Sequence, residues 1–343
     1  MNGVFRMLDI NSQINKQIYL KSSPKDKLTR ENFELKESKI NHLDSNQVLV
    51  EVMYISIDAA NRAWMQGRTY RSQILPGDVM GGYALGKVID SKSSKFKVGD
   101  YVEGDLGWQN YSIVNEAELI KTSIKSSENL HMSVLGITGK TAYFGLELAE
   151  LKKGETVLIS AAAGAVGNVA GQIAKIRGCK VIGITGSDDK AKWLIDELGF
   201  DGVINYKNDN FVKDLRALCP EKIDVYFDNV GGPIFESVLF AMNNFGRIIC
   251  CGAVSQYDQA APQNGPRGVP GLIVTKRLSL KGFIVMDFED KKHEAEKQLM
   301  EWIDNKQIKP AEDIIIGLEN TPSALIGLLN GENKGKRMVK LIK

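Results

Sequence analysis

Apolar residues fall along this chain in two rhythms, and the change comes near Ser126. Before it, short apolar runs are broken by Gly, Asp and Ser, the pattern of closely spaced strands in a barrel or sandwich. Residues 47–57, 81–90, 100–104 and 108–114 are the predicted strands. After it, a helical stretch over about 129–151 leads into six runs rich in Val and Ile, at 156–160, 180–185, 202–206, 223–227, 246–251 and 278–285. These runs are apolar on both faces, as parallel strands buried between helices should be. Helices fit between them, for example over 165–177 and 189–198, and a long charged helix is expected over about 290–306. Six strands alternating with helices predict an α/β fold, with a doubly wound parallel sheet beside a separate β domain. The expected domains are 1–126, a nucleotide-binding domain at 127–309, and a tail at 310–343 that returns to the first.

One stretch could mislead. Residues 156–174 carry no charge and are nearly long enough to span a bilayer, with Gly167 and Gly171 at the spacing of a membrane-helix packing motif. Gly164 and Gly167 interrupt the stretch, so a buried strand running into a helix is expected instead.

The strand-to-helix junction holds the sharpest chemical signal, Ala161-Ala162-Ala163-Gly164-Ala165-Val166-Gly167. It fits the dinucleotide fingerprint with Ala162 in place of the first glycine. Glycine at 164 lets backbone approach a pyrophosphate, glycine at 167 lets the helix pack on the sheet, and the helix N-terminus offers free amides. A glycine-rich turn alone can serve a tight bend; strand before, helix after and a second strand about 20 residues on make it a cofactor site. That second strand ends in Gly186 and Ser187 rather than the acid that binds an NAD ribose. The gap leaves room for a 2′-phosphate, with Ser187 as a hydrogen-bond donor and Lys190 as a charged one. The alternatives are that Ser187 only caps the next helix, that Lys190 is a solvated lysine, or that Asp188 reaches the ribose and selects NAD. The balance favours NADPH.

The chain has 343 residues, 43% hydrophobic and 25% charged, enough for two domains. A net charge of +2, spread evenly, gives no reason to expect nucleic acid or a membrane as partner. The start of the chain, with Arg6 and Asp9, does not read as a signal peptide. Cys179, Cys219, Cys250 and Cys251 have no framework spacing, which suits a reducing, cytoplasmic setting. None lies in the first domain, and His42, His131 and His293 are scattered, so no metal site is expected. Adjacent Cys250 and Cys251 should face opposite sides of a strand. Without a metal to polarise an alcohol, an already polarised acceptor is the better substrate.

The run from Gly139 to Leu146, Gly154-Glu-Thr-Val, Ser160 to Gly167 and Gly171-Gln-Ile-Ala-Lys resembles the zinc-independent medium-chain dehydrogenase/reductases. So do Asn205-Tyr-Lys, Asp224 to Gly232, Cys251 to Tyr257, Lys281 to Val285 and Gly331 to Lys336. The likeness covers essentially the whole chain and is greatest to the branch of prostaglandin, 2-alkenal and curcumin reductases. It implies a GroES-like barrel around an inserted Rossmann domain. It also implies NADPH contacts from Gly164, Ala165, Val166, Gly167, Lys190, Tyr206 and Asn229, beside the Gly186 and Ser187 read from the strand end above. Further implied contacts are Cys251, Gly252, Ala253, Val254, Ser255, Gln256, Tyr257, Phe283, Ile284, Val285 and Asn333. A homodimer joined through edge strands is implied as well, with 278–285 as the candidate edge.

The resemblance further implies hydride transfer to the β-carbon of an α,β-unsaturated aldehyde or ketone. Tyr257 is the candidate donor to the carbonyl oxygen, or else a wall residue that only packs. Residues 257–271 are a long loop that either folds over the site or merely connects. One position departs from the family: Ala60 stands where many members carry a tyrosine near the substrate, leaving the pocket shape open. Trp64 and Met65 line that pocket or pack in the core. Competing readings are quinone reduction and NADPH binding without turnover.

Overall fold

The computed structural model of the chain describes residues 13–124, 127–258 and 265–341. In β1 (Ile14–Leu20), Asn15, Ile18 and Leu20 face inward, and the strand pairs antiparallel with β2 (Phe33–Lys39). The long β3 (Gln47–Ser56) is apolar on nearly every position and almost wholly buried. A short helix, α1 (Ala60–Gln66), separates it from β4 (Tyr83–Ser91), β5 (Tyr101–Asp105), β6 (Tyr111–Asn115) and β7 (Ile120–Thr122). β3 pairs antiparallel with β4 and β6, and register shifts between Leu49 and Val50 and between Val52 and Tyr54 break its ladder with β4. Bulges of this kind bend and twist a strand.

The second rhythm begins with α2 (Glu128–Met132) and α3 (Ile137–Ala149) rather than the single helix expected over 129–151. The break has a packing cause. Gly136 is extended and starts α3, and a Cβ at Gly139 would lie 1.7 Å from the Val134 carbonyl oxygen, so the chain turns back on itself there.

Then strand and helix alternate: β8 (Thr156–Ile159), α4 (Ala165–Ile176), β9 (Lys180–Thr185), α5 (Asp188–Asp196), β10 (Gly202–Asn205), α6 (Phe211–Leu218), β11 (Ile223–Asp228), α7 (Gly232–Ala241) and β12 (Met242–Cys250). Helix α8 (Val269–Lys276) and β13 (Ser279–Gly282) complete a six-stranded parallel sheet of order β10-β9-β8-β11-β12-β13. Order 3-2-1-4-5-6 is that of the doubly wound dinucleotide-binding fold. Alternate residues feed its two faces: Val157 and Ile159 join the core under α3 and α4, while Leu158 joins the one under α6 and α7. Cys251 and Cys250 split the same way, and all four cysteines are free thiols.

The stretch 156–174 is thus β8, a turn and most of α4. Its glycines serve packing, with Gly167 against the Ala161 backbone and Gly171 against the Phe200 ring. Among the described residues no helix is long and apolar enough to cross a membrane. β13 stops at Gly282, short of the expected 285, because Phe283 turns toward Phe288 and the core.

After α9 (Lys292–Asp304) come β14 (Glu312–Ile316), α10 (Thr321–Leu329) and β15 (Lys336–Lys340). Residues 310–343 divide between the two compact units. The first unit comprises 1–128, 314–326 and 338–343, and the second comprises 129–313 and 327–337. β14, β15, β3, β4, β5 and β7 follow one another in a seven-stranded sheet completed by β6 on β3. Residues 327–337 stay with the second unit because their backbone is bonded into it: Gly335 N–H donates to the Ala163 carbonyl at 2.8 Å and Lys336 N–H to that of Ala311 at 2.8 Å.

Candidate active site

The second unit gathers its polar residues at the carboxyl end of the parallel sheet. β8 ends at Ile159, and Ala161 takes a left-handed φ of 47°, making the tight bend that the fingerprint's first glycine ordinarily makes. Gly164 N–H donates back to the Ala161 carbonyl at 2.9 Å, and α4 begins with Gly164 at its N-cap and no side chain capping it. The first amides of such a helix have no partner within it and carry its partial positive charge outward.

The two glycines of the turn differ in what requires them. A Cβ at Gly167 would sit 2.4 Å from the Ala161 carbonyl oxygen and 2.8 Å from the Ala162 Cα, so the protein itself demands glycine. A Cβ at Gly164 would meet only the Ala161 oxygen, at 3.1 Å, on an extended backbone of φ −79° and ψ 178°. Among the described residues nothing demands glycine at 164, whereas a ligand drawn close to that backbone would. The cradle fits a diphosphate. The loop 331–335 borders it, bridging Gly164 to Gly335, with buried Asn333 donating to the Gly335 carbonyl at 2.8 Å.

At the end of β9, Gly186 is overlain by the Tyr206 ring and Lys207: a Cβ on Gly186 would lie 3.1 Å from Tyr206 Cε1 and 3.3 Å from Lys207 Cε. Ser187 caps α5 by accepting from Lys190 N–H, as its structural alternative predicted. Asp188, the alternative ribose ligand, accepts from Asn205 Nδ2 at 2.8 Å. Lys190 is half-buried, and its Nζ donates to the Gly331 carbonyl. Burial first, then neighbouring Arg337, Lys207 and Lys334, hold its ammonium below the usual lysine range, with Asp313 opposing. A crowded cation of this kind is suited to an incoming phosphate.

Sequence reasoning passed over the group that binds these loops together. Asp228, 2% exposed at the end of β11, accepts from Ser160 Oγ at 2.9 Å, Tyr226 Oη at 2.7 Å, and the amides of Val230 and Gly231, each at 3.0 Å. Its carbonyl takes the amides of Cys251 and Gly252. Asn229 is fixed to Ser160 through both its backbone and side-chain nitrogens. An Asp closing a strand just before Asn-Val-Gly-Gly was the available signal.

The loop after β12 hangs on that network. Val254 N–H donates to the Asn229 carbonyl and Ser255 Oγ to that of Val230, and 254–256 form a 3-10 turn with Gln256 exposed. Tyr257 Oη accepts from Ala253 N–H at 3.2 Å, which steadies the ring and leaves its hydroxyl proton to donate. Burial and Asp228 push the Cys251 thiol up to about 12, so it stays protonated. Of the loop 257–271, residues 259–264 lie outside the described residues. Phe283 and Val285 pack on the core with Phe288, while Ile284 is exposed.

In the first unit, Ala60 opens α1. Trp64 and Met65 are buried, Trp64 lying under the Arg71 guanidinium at 4.5 Å and edge-on to Tyr70 at 6.2 Å. His42 and His293 are exposed and His131 lies on α2; among the described residues no three His, Cys, Asp or Glu cluster as metal ligands.

Residues 16–122 match the family described as the N-terminal domain of oxidoreductase, and 165–305 the one described as zinc-binding dehydrogenase. Prostaglandin reductase 1 of Bos taurus is 40% identical over 91% of this chain and 94% of its own length. The NADPH-dependent curcumin reductase of Escherichia coli is 36% identical over 96% and 97%. The crystal structure of CurA in complex with NADPH from Vibrio vulnificus superposes with a TM-score of 0.91, at 35% identity over 96% of this chain and 99% of that one. Similarity of this extent, on a 3-2-1-4-5-6 sheet with its phosphate turn intact, places the chain in the medium-chain dehydrogenase/reductase family, in the branch of prostaglandin, 2-alkenal and curcumin reductases.

Proposed function

We propose that this protein uses NADPH to reduce the carbon–carbon double bond of α,β-unsaturated aldehydes and ketones. The observation that carries the reading is Gly164, a glycine with no structural reason of its own at the head of an uncapped helix. The activities named for the relatives support the acceptor class.

Bound NADPH supplies the hydride that reaches the β-carbon. The residues 164–167 would hold the diphosphate through backbone amides, and Lys190, which donates to the Gly331 carbonyl, would pair with the 2′-phosphate. Asn229 and the loop 251–257, both joined to the Asp228 network, would border the nicotinamide end. Hydride transfer to the β-carbon would leave negative charge on the carbonyl oxygen. Tyr257 Oη–H donates to it, a contribution of about 2–4 kcal/mol for a well-placed donor. Water can protonate the α-carbon, so no dedicated acid is needed.

We further propose a homodimer joined along the outer edge of β13, where Phe240, Phe245 and Val274 on the neighbouring elements are 61%, 69% and 72% exposed. The free thiols suit a reducing compartment, and we assign the enzyme to the cytoplasm. The test of function is a panel of one alkenal, one cyclic enone and one quinone, followed by loss of NADPH absorbance. Oxidation with the alkenal and the enone is expected. Turnover of the quinone alone, or tight NADPH binding with no acceptor reduced, overturns the proposal.

A further inference from the structure

The 2′ side of the nucleotide turn holds more positive charge than Lys190 alone supplies. Lys190 Nζ donates to the Gly331 carbonyl, and in the same loop Lys334 Nζ pairs with Asp189 at 2.6 Å. Both contacts join the first turn of α5 to residues 331–334. That loop has fixed ends: Gly331 and Gly335 take left-handed φ values of 73° and 72°, and Gly335 is bonded to Ala163 beside the phosphate turn. Lys207 closes in from a third side, against Gly186.

The acids nearby are mostly engaged. Asp188 accepts from Asn205, and Asp313 holds Arg337 at 2.8 Å. The Asp189–Lys334 pair is different in kind, being exposed, with side chains 78% and 40% accessible. Such a pair is worth about 0–1 kcal/mol, which a phosphate dianion beside Lys190 readily outcompetes. With the loop backbone pinned at both ends, the four-carbon stem of Lys334 can swing its ammonium from Asp189 toward that dianion without a backbone shift.

We propose that Lys334 is a second specificity-determining cation for the 2′-phosphate of the nucleotide, and that Asp189 holds it in reserve and thereby sets the affinity. The proposal rests on the NADPH reading, and its test separates the two. Binding of adenosine 2′,5′-bisphosphate and of 5′-AMP to the full chain is measured by calorimetry, without turnover. The wild-type protein should prefer the bisphosphate; no preference sinks the NADPH reading and this proposal together. Given that preference, Lys334→Met should weaken bisphosphate binding about fivefold and leave 5′-AMP unchanged, while Lys334→Arg retains it. Asp189→Asn should tighten bisphosphate binding by about twofold to threefold, and that gain should shrink in the Lys334→Met background. An unchanged bisphosphate-to-AMP ratio in Lys334→Met, with the NADPH reading intact, overturns the role of Lys334. An equal Asp189→Asn gain in both backgrounds overturns the reserve, since simple repulsion would then explain it.

Discussion

Replacing Gly164 by alanine separates what the fold needs from what the ligand needs. The added methyl meets one atom, the Ala161 oxygen at 3.1 Å, and relieving that contact takes a shift of a few tenths of an ångström. The backbone at φ −79° suits alanine, so the variant also gains about 0.4–1 kcal/mol from a less flexible unfolded chain. The two effects nearly cancel, and the nucleotide-free protein should melt within about 3 °C of wild type. Binding is another matter. The methyl stands where backbone approaches the diphosphate, and loosening one or two charge-assisted hydrogen bonds costs about 2–3 kcal/mol. The dissociation constant for NADPH should therefore rise about 30-fold to 150-fold, read by quenching of protein fluorescence. A constant within threefold of wild type would refute the reasoning, as would a fall of more than about 6 °C in the melting temperature without nucleotide.

Gly167→Ala should behave oppositely. Its methyl collides with backbone at 2.4 Å, and the helix cannot move without opening the core, so stability should drop by about 1–3 kcal/mol in denaturant titration; an unchanged midpoint would contradict this. Lys190→Met should raise the melting temperature of the nucleotide-free protein at pH 7 while weakening NADPH far more than NADH. Its ammonium is held below its unfolded range, so the charged lysine costs stability at neutral pH and the cost fades as pH rises through the lowered value toward 10.5. A variant less stable than wild type at pH 7, or equal losses for both nucleotides, would count against that account. Tyr257→Phe should cut kcat by about thirtyfold to a thousandfold with little change in NADPH affinity, and unchanged turnover would reduce Tyr257 to a wall residue.

What could be read from the sequence was what local chemistry decides. Val157, Leu158 and Ile159 announce a strand with two buried faces, and each side chain goes to the core its parity dictates. Gly186 in place of an acid, with Lys190 behind it, pointed to a phosphate, and the half-buried ammonium among other cations fits that reading. What stayed hidden depends on contacts between distant segments. The break between α2 and α3 comes from Gly139 pressing on the Val134 backbone, and β13 ends early because Phe283 finds Phe288. Ala161 gives no sign in sequence of its left-handed turn, since alanine rarely takes one. The role of Asp228 was hidden because three of its partners, Ser160, Cys251 and Gly252, are not neighbours until the sheet has formed, and Lys334 meets Asp189 only after residues 327–337 fold back.

That fold-back carries a consequence for how the protein comes into being. A polypeptide grows from its amino end, so β8 and α4 leave the ribosome long before Gly335 can bond to Ala163. Until then the nucleotide pocket lacks one side, and the cell's NADPH has little to hold that would help the nascent chain mature. Closing so wide a loop carries an entropic cost that grows only slowly with its length, but the closure still has to wait until residues 327–337 have been made. NADPH bound as proposed would thus be expected to stabilise the finished molecule rather than to guide the growing chain.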